Sequence, residues 1–380
     1  MLAKRALAEQ GFKTWIEIDQ NAIRRNCDTF RKIIGPKAKL WSVVKSNAYG
    51  HGLSIFAKAA EEGVDGFCVD SVIEGLRLRK EKIKKPILVL GPTFPARLAE
   101  GTTNDIALTV SSFEALKSLL KSKNPPTFHL KIDTGMNRQG FYLEDLPAVI
   151  RFLKPKTSHL KPSFKGIYTH FASAKDINYP TYTEVQFKKF EKANRLFEKA
   201  GYKNLIKHSS ATGATLVDKK YHLDAVRIGI GLYGLWPSKE LEIHLPKIRL
   251  WPVLSWRAVL SEVKQAAAES FVGYDLTERL KQSTKIAVLP VGYWHGFPRG
   301  LSNIGEAIVC GKRAKVLGRV SMDLTTLNVQ NIVCRPGDVV TLVGRDREAE
   351  LKAFEVAEKL GTVHYEFLTR LNPLIQRVLA

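Results

Sequence analysis

Acidic residues are scarce in this chain: 37 stand against 59 lysines and arginines in 380 residues, a formal net charge of +22. On charge alone that excess admits a nucleic-acid or membrane-surface partner. The basic residues are scattered, however, in short groups at 80–85, 121–123, 154–161 and 188–192. No zinc-finger spacing, aromatic-interleaved basic motif or arginine-rich tail accompanies them, which argues against nucleic acid as the main partner. Cysteine is equally sparse. Cys27, Cys68, Cys310 and Cys334 lie far apart without a Cys-x-x-Cys pair, which excludes a disulfide framework and a zinc site. They read as reduced thiols, so cytoplasm is the expected compartment. No apolar run approaches the roughly 20 residues of a membrane span, and residues 1–13 are not expected to act as a secretory signal. Internal repeats and low-complexity tracts are also missing.

What is present is an alternation of strand and helix signals. Short β-rich runs recur at 40–45, 66–70, 87–91, 106–110, 128–133, 164–170, 205–209 and 225–229. Amphipathic stretches with helical spacing separate most of them, for example 55–62, 72–82, 113–121 and 185–199. Eight strands with crossovers predict an α/β barrel of the eight-stranded, TIM-like kind. No Gly-x-Gly-x-x-Gly opens a helix after the first strand, which argues against a dinucleotide fold. Barrel enzymes place their chemistry at the C-terminal ends of strands. Lys45, Asp133, His170, Ser209 and Arg227 all fall there.

From about residue 240 the texture changes. Runs at 253–263, 284–291, 306–309, 314–316, 325–329 and 339–343 are separated by Gly, Pro, Asn and Asp, with one late helical stretch at 351–360. The expected organisation is a barrel over 1–240 and a mostly-β C-terminal domain over 241–380.

The segment Val43-Val44-Lys45-Ser46-Asn47-Ala48-Tyr49-Gly50-His51-Gly52 carries the strongest chemical signal. It sets one lysine at the end of an apolar strand and follows it with a glycine-bearing turn. An amine that attacks a carbonyl must be held still and open on one side, and lysine shifts its pKa readily when partly desolvated. This decapeptide resembles the pyridoxal phosphate lysine motif of the alanine racemase family. The resemblance continues through Lys131-Ile132-Asp133-Thr134-Gly135-Met136-Asn137-Arg138, Gly166-Ile167-Tyr168-Thr169-His170 and Val226-Arg227-Ile228-Gly229-Ile230-Gly231. Further matches are Pro290-Val291-Gly292-Tyr293, Gly318-Arg319-Val320-Ser321-Met322-Asp323 and Gly361-Thr362-Val363-His364-Tyr365. Thr14-Trp15-Ile16-Glu17-Ile18-Asp19 looks like the family's N-terminal strand, which precedes the barrel.

The resemblance implies an amino-acid racemase with pyridoxal 5'-phosphate as cofactor, alanine as substrate and a head-to-tail homodimer as assembly, supplying D-alanine for peptidoglycan. Racemisation removes a proton from one face of the α-carbon and delivers one to the other. Lys45 is implied as the cofactor lysine and the base on the D-alanine face. Tyr274, contributed by the partner subunit, is implied as the base on the L-alanine face. Arg227 is placed against the pyridine nitrogen; a guanidinium only donates, so that nitrogen should stay unprotonated. Tyr49, Thr212, Gly229, Ile230 and Tyr365 are expected to grip the phosphate, and His170 to stack on the ring. Arg138, Tyr293, Met322 and Asp323 are expected around the substrate.

Strand alternation sets His129, Lys131 and Asp133 on one face. A lysine pointing into a barrel must be paired, neutral or modified. The resemblance implies the carbamylation that some family members carry, with the Lys131 carbamate orienting Arg138, and that is the expected state; the alternative is a plain Lys131–Asp133 ion pair. Two departures from the family pattern stand out. Trp294-His295 replaces the usual Ala-Asp, and Ala211-Thr212 replaces a common Asn-Ser. The first leaves substrate breadth open, so a racemase for serine or for a broader set of amino acids stays in view. A non-enzymatic pyridoxal phosphate carrier is the reading from another class; the second domain with Tyr274 speaks against it.

Overall fold

The computed structural model describes residues 10–153 and 163–380; the basic group at 154–161 lies outside the described residues, as does most of segment 1–13. Among the described residues, eighteen strands run in chain order. The first, β1 (Thr14–Ile18), is followed by eight parallel barrel strands: β2 (Lys39–Val43), β3 (Gly66–Val69), β4 (Ile87–Val89), β5 (Ile106–Val110), β6 (Phe128–Lys131), β7 (Phe164–Tyr168), β8 (Ile206–His208) and β9 (Ala225–Ile228). Their order is β8-β7-β6-β5-β4-β3-β2-β9, and the ring is nearly closed by a parallel bridge between Ala211 and Arg227. All eight sequence-read strands therefore exist, each within a few residues of its expected bounds.

The barrel sorts its side chains by strand parity. Phe128, Leu130 and Ile132 point outward into a core shared with Phe164, Ile167, Phe190 and Phe197. The last two lie on the long helix Thr181–Lys199. His129, Lys131 and Asp133 take the other parity and are also buried. The interior of this barrel is thus polar and aromatic. Close packing makes room for it: a Cβ at Gly166 would fall 2.4 Å from the His129 ring nitrogen.

The remaining strands form a second sheet: β10 (Leu254–Val259), β11 (Glu262–Ala266), β12 (Thr284–Leu289), β13 (Glu306–Val309), β14 (Lys312–Leu317), β15 (Thr325–Asn328), β16 (Val339–Asp346), β17 (Ala349–Leu351) and β18 (Gln376–Leu379). The order is β11-β12-β15-β14-β13-β16-β10-β1-β18, with β17 on β16. The run at 253–263 is two strands, β10 and β11, not one. Its second half turns back to pair with β12.

The contacts do not follow a single cut at 240/241. Among the described residues, one compact unit holds the segment ending at Gln20, Tyr49–Ile55 and Pro252–Ala380; the other holds Asn21–Ala48 and the described part of Phe56–Trp251. The reason is backbone pairing. Strand β1 lies antiparallel to β10 and parallel to β18, so the N-terminal strand completes the second sheet instead of joining the barrel. Among the described residues, no helix is long and apolar enough to cross a membrane.

Candidate active site

Lys45 lies one residue past the end of β2, and β2 pairs with β9, the strand that carries Arg227. The Lys45 ammonium lies 3.6 Å from a carboxylate oxygen of Asp70, with the lysine side chain 39 % exposed. Beyond Lys45 the backbone makes a left-handed turn: φ is 55°, 55°, 53° and 52° at Ser46, Asn47, Ala48 and Tyr49. Such a conformation costs roughly 1–2 kcal/mol for each residue with a Cβ. Strain of this kind persists only where surrounding contacts hold it.

Arg227 is buried, and its guanidinium bonds neutral groups alone. It donates 2.6 Å to His208 Nδ1, 2.7 Å to the Thr169 carbonyl, and 3.1 Å to the carbonyls of His208 and Ser209. No ion pair joins it to a carboxylate among the described residues. Its neighbours fix a chain of tautomers. Arg227 can only donate, so His208 accepts at Nδ1 and carries its proton on Nε2. That proton is donated 2.9 Å to His129 Nδ1. Both rings are buried. Burial first, and the Arg227 charge second, push His129 down to about 3 and His208 well below its ordinary value. Tyr168 stacks on His208 with centroids 4.7 Å apart, and Trp41 packs edge-on against both imidazoles. His170 lies 3.5 Å from Arg227 and is held neutral by burial and by the charges of Arg227, Lys131, Arg138 and Lys45.

Lys131 and Asp133 do not pair. The Asp133 carboxylate accepts from the backbone N–H groups of Gly135, Met136, Asn137 and Arg138 at 2.9–3.1 Å. Burial alone would raise its pKa, but those four donors together pull it below the ordinary value. The Lys131 amine donates 3.0 Å to Gln139 Oε1 and lies over the Tyr168 ring. Burial, then the charges of Arg138 and Arg227, lower its pKa to about 8. Lys131, Asp133, Arg138, Gln139 and His170 line one narrow cleft.

Thr212 opens the helix Thr212–Val217, and its hydroxyl accepts from the Gly231 N–H at 3.4 Å. Gly229 and Ile230 come directly after β9, and the Ile230 N–H meets no acceptor among the described residues. The barrel unit thus gathers Lys45, Lys131, Arg138, His170, Thr212, Arg227, Gly229 and Ile230.

The other expected residues belong to the second unit. Tyr49 and Tyr365 have ring centroids 6.1 Å apart, and burial together with Tyr49 raises the Tyr365 phenol. Tyr274 is 69 % exposed on a short hairpin closed by the Val272 N–H to the Glu278 carbonyl. Asp275 beside it lies 3.4 Å from both Arg299 and Arg319, which pins the turn. Tyr293 and Met322 sit on touching segments: the Tyr293 N–H donates 3.0 Å to the Ser321 carbonyl and the Trp294 N–H 3.0 Å to the Met322 carbonyl. Asp323 is exposed. Trp294 is exposed too, and its carbonyl accepts from Asn372 at 2.9 Å.

Residues 18–237 match the family described as alanine racemase, N-terminal domain, and residues 253–379 match alanine racemase, C-terminal domain. The chain belongs to the alanine racemase family. It is 36% identical to an alanine racemase of Leptospira interrogans over 97% of this chain and 96% of the relative. It is 38% identical to one of Methanococcus maripaludis, over 96% and 98% of the two chains. The crystal structure of alanine racemase from Bacillus anthracis with bound L-Ala-P superposes with a TM-score of 0.90 at 33% identity, over 97% of this chain and 95% of that one. Alanine racemases are pyridoxal phosphate-dependent isomerases, and similarity over almost the whole chain supports that activity here.

The barrel residues fit such a cofactor. A buried guanidinium without a carboxylate suits an aromatic nitrogen that accepts, and the Ile230 N–H with the Thr212 hydroxyl suits a phosphate. His208 and His129, which bond to Arg227 directly and through one another, are not among the site residues expected from the sequence. Their signal was present in the polar parity of β6 and in the histidine that ends β8.

Proposed function

We propose that this chain interconverts L- and D-alanine with Lys45 and Tyr274 as its two bases. The observation that carries the reading is Arg227: a buried cation, bonded by neutral acceptors, on the strand beside the one that leads into Lys45. Pyridoxal phosphate, when bound, withdraws electrons from the α-carbon of an amino acid. Lys45 would hold it, Arg227 would face its ring nitrogen and His170 its ring. Thr212, Gly229, Ile230, Tyr49 and Tyr365 would hold the phosphate.

Each base takes or gives one proton. The Lys45 amine serves the D-alanine face at Nζ, and the Tyr274 phenol of a second copy serves the L-alanine face at Oη. That assignment makes a head-to-tail homodimer part of the mechanism. Tyr274 being well exposed supports it, since a phenol that serves another subunit must stand clear of its own. Arg138, Tyr293, Met322 and Asp323 would orient the substrate. Lys131 would be carbamylated: its neutral amine adds to carbon dioxide, a nitrogen–carbon bond forms and one proton leaves. The new anion then answers the Arg138 and Arg227 charges that now depress the lysine pKa. Cytoplasm is the compartment this reading assigns.

Exchange of the α-proton of L- and D-alanine in D₂O tests the assignment on protein supplied with pyridoxal phosphate. Lys45→Ala should abolish exchange from both isomers, and Tyr274→Phe should impair the L side far more than the D side. An equal defect on both sides in Tyr274→Phe would reject the division of labour.

A further inference from the structure

The left-handed turn after Lys45 is held by a carboxylate from the next helix. Glu74 lies on the helix Val72–Lys80, which Ser71 caps by accepting from the Glu74 N–H. A glutamate at this place ordinarily bonds back to the cap residue's own N–H. Here it does something else. Its Oε2 accepts from the Asp70 N–H at 2.8 Å. Its Oε1 accepts from the Ser46 N–H at 2.7 Å and from the Asn47 N–H at 3.4 Å.

One carboxylate therefore ties the end of β2 to the end of β3. Ser46 and Asn47 are the first two left-handed residues. Asp70 is the residue 3.6 Å from the Lys45 ammonium. Two of the three anchored positions directly follow Lys45 in the chain, and the third is its charged neighbour.

We propose that Glu74 is a positioning residue for Lys45: it holds the strained turn in register and sets Asp70 against the lysine amine. This rests on Lys45 being the cofactor lysine. Glu74 bonds backbone N–H groups and not the Lys45 amine. It acts through the backbone, so removing it should displace Lys45 without removing a chemical group. A shift of about 1 Å in a reacting group can cost on the order of 100-fold in rate.

Glu74→Gln is the separating variant. Glutamine keeps the length and the helix start, but its single carbonyl oxygen replaces two anionic acceptors. Hydrogen–deuterium exchange at the Ser46 and Asn47 amides, read in the protein without added cofactor, should become about tenfold faster. With cofactor, kcat for alanine should fall about 100-fold while KM moves by less than about threefold. Glu74→Asp, which keeps the anion, should recover part of the loss. Unchanged amide exchange at Ser46 and Asn47 would overturn the proposal, whatever happens to the melting temperature. So would a kcat within about twofold of the parent. Lys45→Ala runs alongside: if it still racemises alanine, the reading of Lys45 fails, and that result is distinct from failure of the Glu74 proposal.

Discussion

Two buried imidazoles should make the barrel acid-labile well above the range in which carboxylates titrate. His208 Nδ1 is committed to Arg227 at 2.6 Å and His129 Nδ1 to His208 at 2.9 Å. Neither ring can gain a proton without breaking a bond and placing a second charge beside a buried guanidinium. In the unfolded chain both titrate near the ordinary value of about 6.5. Below that pH the unfolded state binds protons that the folded state refuses, so stability falls as pH drops. The stabilisation is complete above about 6.5 and is lost on acidification towards the depressed folded values. Going from about pH 7.5 to about pH 5.5 costs about 1.4 kcal/mol per imidazole, hence about 3 kcal/mol for the pair. Urea unfolding followed by near-ultraviolet circular dichroism at both pH values measures it. His129→Asn, which has no titrating ring, should lose about 1.4 kcal/mol less over the same interval. Parent stability unchanged within about 1 kcal/mol across the interval, or an equal loss in the variant, would refute the argument.

Two further outcomes follow from the geometry. Protein equilibrated with ¹³C-labelled carbon dioxide should show a carbamate resonance that Lys131→Ala lacks, and degassed protein should lose both the resonance and part of its activity. Gly292→Ala should destabilise the second unit by about 2–4 kcal/mol in thermal melts, because its Cβ would lie 2.1 Å from the Ser321 carbonyl oxygen, where backbone must move.

The barrel was legible because its signals are local. Phe128 to Asp133 reads as a strand from neighbouring residues alone, and its two faces follow from parity. Lys45, Arg227 and His170 stand where such strands end. The second sheet was legible as a texture but not as a topology. Nothing near Thr14 says that it pairs with Ala258, since that register is a property of distant segments. The left-handed turn escaped for a different reason. Ser46, Asn47, Ala48 and Tyr49 include three residues with no strong preference for positive φ, so the conformation rests on contacts from distant residues such as Glu74 and not on propensity. The Lys131–Asp133 pair was a reasonable reading of alternation. It fails because a loop of four N–H groups claims the aspartate first, and loop geometry is invisible to a strand pattern.

The placement of β1 between β10 and β18 has a consequence for how the chain comes to life on the ribosome. Trp15 is made long before Gln376, yet the two are strand partners. Translation at roughly 5–20 residues per second leaves β1 waiting roughly 20–70 s for β18. All eight barrel strands emerge before β10, the first of its two partners to be made, so until then β1 stays an unpaired hydrophobic ribbon with Trp15, Ile16 and Ile18 uncovered. Such edges recruit other chains. The hazard of making this protein therefore lies in its first strand, and crowded translation, rather than heat, is the condition that should expose it.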